Sequence, residues 1–251
     1  MPTNPLGPTG LLAQSLTLPA GSQSMSGGGM RMQAQGMDGR KKSGVSFSSS
    51  VTYVNSGNGS FAGSTFVFTA TSTQADDWMV IVADGVNATS VTGGTGAAWT
   101  KLTLTNVGGV VTTIFYRRLE SGGDAGAVFV INGGTNAGPA EWVAYRGVAS
   151  VDAPQTQVSL ANAPDLRFSE VSPANKSGRL LAIASQHNAG AGSWTAPSGW
   201  NARVSWNAIG PKYLGDILSQ TYASQGGPIV LQTSVTSAGG QVGWLFELIG
   251  T

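Results

Sequence analysis

From Val45 onward the chain is a succession of short apolar or alternating runs: "SVTYV", "STFVFTA", "WMVIVAD", "WTKLTLT", "VTTIFYRRL", "AVFVI" and "EWVAYRGV". The stretches "NSGNG", "GGTG", "NVGG", "SGGDAG" and "NGGTNAGP" separate them. Runs of this length are rich in Val, Ile, Thr and aromatic residues, and Gly and Asn clusters bound them. They predict strands joined by tight turns, as in a sandwich or barrel. No stretch carries a sustained helical period.

The pattern repeats. "WMVIVADG" at Trp78 is echoed by "RLLAIASQ" at Arg179, an offset of 101, and Trp99 by Trp200 at the same offset. "IFYRRLESGG" at Ile114 is echoed by "ILSQTYASQGG" at Ile217, an offset of 103, and Trp142 by Trp244, an offset of 102. Four landmarks in one order imply two halves, near 66–152 and 166–250, with "SVDAPQTQVSLANAPDL" carrying the chain between them. A small sheet with one apolar face needs a partner. The expected fold is therefore an all-β, jelly-roll-like antiparallel sandwich of two pseudo-repeated halves. Each half would contribute one sheet of four strands, and Trp142 and Trp244 would plug the ends of one shared core.

Residues 1–44 differ. They hold Pro2, Pro5 and Pro8, the run Gly27-Gly28-Gly29 and five of the six methionines, with no period of 2 or 3.6. Such a composition cannot fill a core, so an extended arm is expected, ordered only by a partner. Its charge is +3 and that of 45–251 is −2. A net charge of +1 argues against nucleic acid as the main partner. The apolar stretch "GLLAQSLTLPAG" is too short and too polar to span a membrane, and it lacks the basic lead of a secretory signal. Leu11, Leu12 and Leu16 in the arm, with Arg40, Lys41 and Lys42 at its root, are the candidate anchoring residues.

Candidate chemistry is sparse. There is no cysteine, and the one histidine, His187, is expected in a loop. Glu141 and Glu247 hold loosely related places, but they should point to different ends of their strands. Asp76, Asp77 and Asp84 offer carboxylates for a hard cation, yet two of them flank a strand and read better as exposed charges. Neither a catalytic group nor a cofactor or metal site is expected. Among the aromatics, Trp194, Trp206 and Tyr213 fall in or near turns and are the candidates for stacking on a sugar ring.

The motifs taken in order are "MVIVADG", "GAAW", "FYRR", "SGG" and "AYRGVASVD", then "GRLLAIAS", "WTAPSGW", "GG" and "GWLFELIG". As a set, over 45–251, they resemble the glycine-rich β-sandwich domain of many bacteriophage structural proteins, among them minor tail, tail-fibre and capsid-surface proteins. One departure is the first Gly-Trp turn, "GTGAAW", which lacks the proline of "APSGW". The resemblance carries no catalytic residue. It implies a virion structural protein, made in the bacterial host cytoplasm and displayed on the particle surface as a capsid decoration or minor tail component. Its partners would be capsid or tail subunits and further copies of itself, with host-surface polysaccharide as a contact. The alternative is a carbohydrate-binding module or lectin-like adhesin without a virion role.

Overall fold

The fold is taken from a computed structural model. It describes residues 49–85, 87–105, 111–121, 124–133, 138–152, 155–159, 163, 165–187, 191–207, 210–235 and 240–251. Residues 46–251 form one compact unit. The arm and its candidate residues Leu11, Leu12, Leu16, Arg40, Lys41 and Lys42 lie outside the described residues.

The first half of the body contains β1 (Thr52–Ser60), β2 (Thr65–Thr69), β3 (Trp78–Asp84), β4 (Ser90–Thr92), β5 (Thr100–Thr105), β6 (Val111–Arg118), β7 (Val128–Asn132) and β8 (Pro139–Arg146). The second contains β9 (Val148–Val151), β10 (Gln155–Ser159), β11 (Asp165–Phe168), β12 (Arg179–Gln186), β13 (Trp194–Thr195), β14 (Asn201–Asn207) and β15 (Pro211–Leu218). It continues with a short helix α1 (Ser219–Gln225), β16 (Ile229–Thr233) and β17 (Gln241–Gly250).

All strand pairs are antiparallel, and the two halves share one topology. The first pairs its strands as β1-β8-β3-β6-β5 and β2-β7-β4. The second pairs them as β10-β17-β12-β15-β14 and β11-β16-β13. β9 and β10 follow one another along the same edge of β17, so together they match the single strand β1. Trp99 and Trp200 stand at equivalent places, just before β5 and β14. The repeat inferred from the sequence is thus a repeat of structure.

The layering differs from the expectation of one sheet per half around one core. Each half is itself a sandwich, with a three-stranded sheet over a larger one of five strands in the first half and six in the second, and the two large sheets then pack back to back. Three cores result. Phe66, Phe68, Ile81, Phe115, Phe129 and Trp142 fill the first sandwich. Leu166, Phe168, Ala182, Tyr213, Ile217 and Leu231 fill the second. Val80, Val82, Ile114, Val143 and Tyr145 meet Leu181, Ile183, Leu214, Trp244 and Phe246 between them.

This explains the character of the central strands. β3, β8, β12 and β17 are buried at almost every position because both of their faces are covered. The covering strand β2, with one face in water, alternates instead. The helix α1 was missed because seven residues are too few to show a period. It packs Tyr222 against the second core, and the Tyr222 hydroxyl donates to Gly227 O at 2.6 Å.

The pairing of Trp142 with Trp244 also needs correction. Val82 pairs with Glu141 in the first half, and the equivalent Ile183 pairs with Trp244 in the second. Ile81 pairs with Trp142, and the equivalent Ala182 pairs with Leu245. Trp244 therefore answers to Glu141, not to Trp142. A one-residue slip in a strand exchanges its faces. Trp142 accordingly points into its own sandwich, while Trp244 points between the two.

Candidate functional site

The back-to-back interface is where the chain concentrates its buried ionisable groups. One rung of each large sheet builds the centre. Asp84, the last residue of β3, pairs with Thr112 on β6. Its repeat equivalent Ser185 on β12 pairs with Lys212 on β15. Stacking the sheets brings these two equivalent rungs together, and Asp84, Thr112, Ser185 and Lys212 are all sealed from solvent.

Asp84 is the hub. Lys212 Nζ lies 2.6 Å from its Oδ2, and His187 Nε2 lies at the same distance. The Thr112 and Ser185 hydroxyls donate to Oδ1 and Oδ2 respectively. Lys212 also donates to Ser185 Oγ at 2.9 Å and to Gln186 O at 2.8 Å. Burial pushes the Asp84 carboxyl up, but the Lys212 charge and the hydrogen bond and charge of His187 together outweigh it. They hold the group well below the usual carboxylate range.

Glu141 shares this face of the first large sheet and is fully buried. Neither of its oxygens completes a hydrogen bond of ordinary geometry, nor does the neighbouring Trp206 Nε1. Burial first, and then the Asp84 charge, push its carboxyl up to about 8, against the opposing pull of Lys212 and the Trp206 indole. Glu141 therefore holds a proton at neutral pH, beside a carboxylate that does not.

A second cluster lies four residues further along β15. Asp216 is buried and accepts from Tyr145 Oη at 2.8 Å, from Arg179 Nη1 at 2.5 Å and from Arg203 Nε at 2.5 Å. Arg203 also covers the Tyr53 ring at 4.3 Å. Tyr53 and Tyr145 belong to the first half and the two arginines to the second, so this cluster too ties the halves together.

The residues singled out from sequence are placed as follows. Trp194 and Tyr213 are 5% and 2% exposed within the second core, and Trp194 Nε1 donates to Pro211 O at 3.0 Å. Neither offers a ring face to a sugar, which corrects their assignment as stacking residues. Trp206 is half-buried against the inter-sandwich core. His187 stands in the loop just past β12, as expected, but it is buried and belongs to the Asp84 cluster. Asp77 and Asp84 are buried, contrary to the expectation of exposed charge. Asp77 is held by the Arg146 guanidinium at 2.8 and 2.9 Å, and Asp76 pairs with Arg118 at the surface. Glu247 receives the backbone N–H groups of Ala174 and Asn175, so Glu141 and Glu247 do not share a site. Among the described residues, no group of three or more His, Asp or Glu side chains is placed to hold a metal ion. Among them also, no helix is long and apolar enough to cross a membrane.

What sequence reading missed was Glu141 and Lys212 as partners of Asp84. The signal was present: "AEWVAYR" and "PKYLGDIL" place charged residues inside strands that are otherwise apolar on both faces.

The raised value of Glu141 predicts a pH dependence. The folded chain keeps the Glu141 proton between the ordinary value of 4.5 and about 8, where the unfolded chain releases it. Stability from this group is therefore present at low pH and lost as pH rises through that window, with a slope of up to about 1.4 kcal/mol per unit. Asp84 acts in the opposite sense, losing its contribution as pH falls below its ordinary 3.8. Urea midpoints taken from pH 5 to 8 should fall for the native chain and stay flatter for Glu141→Gln. Equal slopes would show that Glu141 does not carry the proton.

Compared with known proteins, the chain matches no family model, no curated protein and no solved structure.

Proposed function

We propose that the chain is a structural protein of a bacteriophage particle, displaying a double sandwich on the particle surface and attached through residues 1–44. The observation that carries this reading is the duplicated sandwich itself. Its most perturbed ionisable groups are spent on joining two like halves rather than on lining a cleft. That is the layout of a rigid display module, and it fits the motif set that resembles phage surface and tail domains. The carbohydrate-binding alternative is weakened, because Trp194 and Tyr213 are committed to the core.

Particles purified through a density gradient test the reading. Peptide mass spectrometry should find the chain at a fixed ratio to the main capsid or tail protein. A chain lacking residues 1–40 should fold and yet be missing from the particles. Absence of the full chain from washed particles would overturn the proposal. Incorporation of the shortened chain at the native ratio would remove the arm's anchoring role.

A further inference from the structure

We propose that Lys212 and Asp84 become joined by an intramolecular amide between Nζ and Cγ, formed by the folded chain itself with Glu141 carrying the protons. The bond would clamp the two sandwiches together across their interface.

Three observations converge on it. Lys212 Nζ stands 2.6 Å from Asp84 Oδ2, on strands of facing sheets. The carboxyl carbon, one bond behind that oxygen, is then near the separation of about 3–3.5 Å from which bond formation proceeds. Secondly, both side chains have zero exposure. A dry site keeps water from reversing the product. Thirdly, Glu141 is a buried carboxyl without an ordinary hydrogen-bond partner, yet the charges of both Asp84 and Lys212 act on it. A buried polar group left unsatisfied calls for an explanation, and a proton carrier beside an amine and a carboxylate is one. The remaining contacts hold the acceptor still: Thr112 and His187 fix Asp84, and Ser185 fixes Lys212.

The step balances without any co-reactant. The Lys212 ammonium first passes one proton to the Asp84 carboxylate, giving a free amine and a neutral acid. The amine lone pair attacks Cγ. As the C–N bond forms, Glu141 gives its proton to the carbonyl oxygen and takes one from nitrogen, leaving a neutral tetrahedral carbon. A second transfer, again through Glu141, moves a proton onto one hydroxyl, which departs as water while the carbonyl re-forms. One ammonium and one carboxylate become one amide and one water, and Glu141 ends with its proton.

The test is the intact mass of the full-length chain, measured after unfolding. The native protein should be lighter than its sequence by one water. A protease digest should contain one branched species joining the Asp84 and Lys212 peptides, located by fragmentation. Asp84 precedes Gly85, so cyclisation of Asp84 onto its own backbone would also lose water. Lys212→Met separates the two, because a variant that still loses water reports cyclisation and overturns the proposal. Glu141→Gln keeps the shape of the site and should fold with the full, unreacted mass; amide formation at the native level in this variant would overturn the role of Glu141. Native protein at its full sequence mass, with its circular dichroism showing folded β structure, would overturn the amide and leave an ion pair.

Discussion

Replacing Lys212 with methionine is expected to lower the stability of the body by roughly 3–5 kcal/mol, the loss typical of removing one partner from a buried ion pair. Methionine keeps most of the apolar stem, so the loss reports the ammonium group rather than a cavity. Asp84 would remain fully buried, with the Thr112 and Ser185 hydroxyls and His187 Nε2 as its remaining partners. The Ser185 hydroxyl and Gln186 carbonyl would each lose a donor as well. If the amide has formed, the loss grows. A cross-link closing a loop of on the order of 100 residues restricts the unfolded chain by about 5 kcal/mol in the chain-entropy model. Urea unfolding of the native chain, Lys212→Met, Asp84→Asn and the double variant checks this. The double variant should be more stable than the two single losses sum to, because the second change removes a charge already stranded. Strict additivity would show that the groups are not coupled. Arg118→Ala is the control: the Arg118–Asp76 pair is exposed at 56% and 72% of its side chains and should cost less than about 1 kcal/mol.

The β architecture was legible because its signals are local. Gly and Asn clusters end each run, and the alternation in "STFVFTA" survives as the covering strand β2. The repeat was legible because like strands recur at nearly constant offsets and end in the same strand order. The number of layers was not read, although "WMVIVAD" and "RLLAIAS" carried it. A strand that is apolar at every position must be covered on both faces, which one sheet per half cannot do. The equivalence of Trp142 and Trp244 failed by a single residue, the smallest displacement that exchanges the faces of a strand. Of the polar cluster, sequence shows only that Glu141 and Lys212 interrupt apolar strands. That Lys212 meets Asp84 depends on how two sheets stack, and no local pattern encodes that stacking. The aromatic candidates failed for a related reason. Trp194 and Tyr213 neighbour turns, but both enter the second core, Trp194 from the three-stranded sheet and Tyr213 from the large one.

Trp142→Ala and Trp244→Ala should each cost roughly 3–5 kcal/mol, as large-to-small changes at buried aromatics do, but they should loosen different parts of the body. Trp142 is packed within the first sandwich, stacked on Phe68 with ring centroids 5.2 Å apart and planes 20° apart. β1 passes beneath it with Gly57 directly opposite, where a Cβ would lie 2.7 Å from Trp142 Nε1. Gly57→Ala should therefore destabilise the native chain, and Trp142→Ala should relieve that clash. The two changes together should cost less than the sum of each alone. Trp244 lies instead at the centre of the back-to-back core, on the lattice place that Glu141 holds in the other half. Its loss opens a cavity among Leu181, Ile183 and Val143 without touching the core of the first sandwich. Hydrogen exchange separates the two outcomes. Trp142→Ala should speed exchange most in β2 and β7 of the first half. Trp244→Ala should speed it most in the facing strands β3, β8, β12 and β17, while β2 and β7 keep their protection. Uniform acceleration over the whole body in both variants would mean that the two sandwiches unfold as one cooperative unit, and that the interface between them is as strong as the cores on either side.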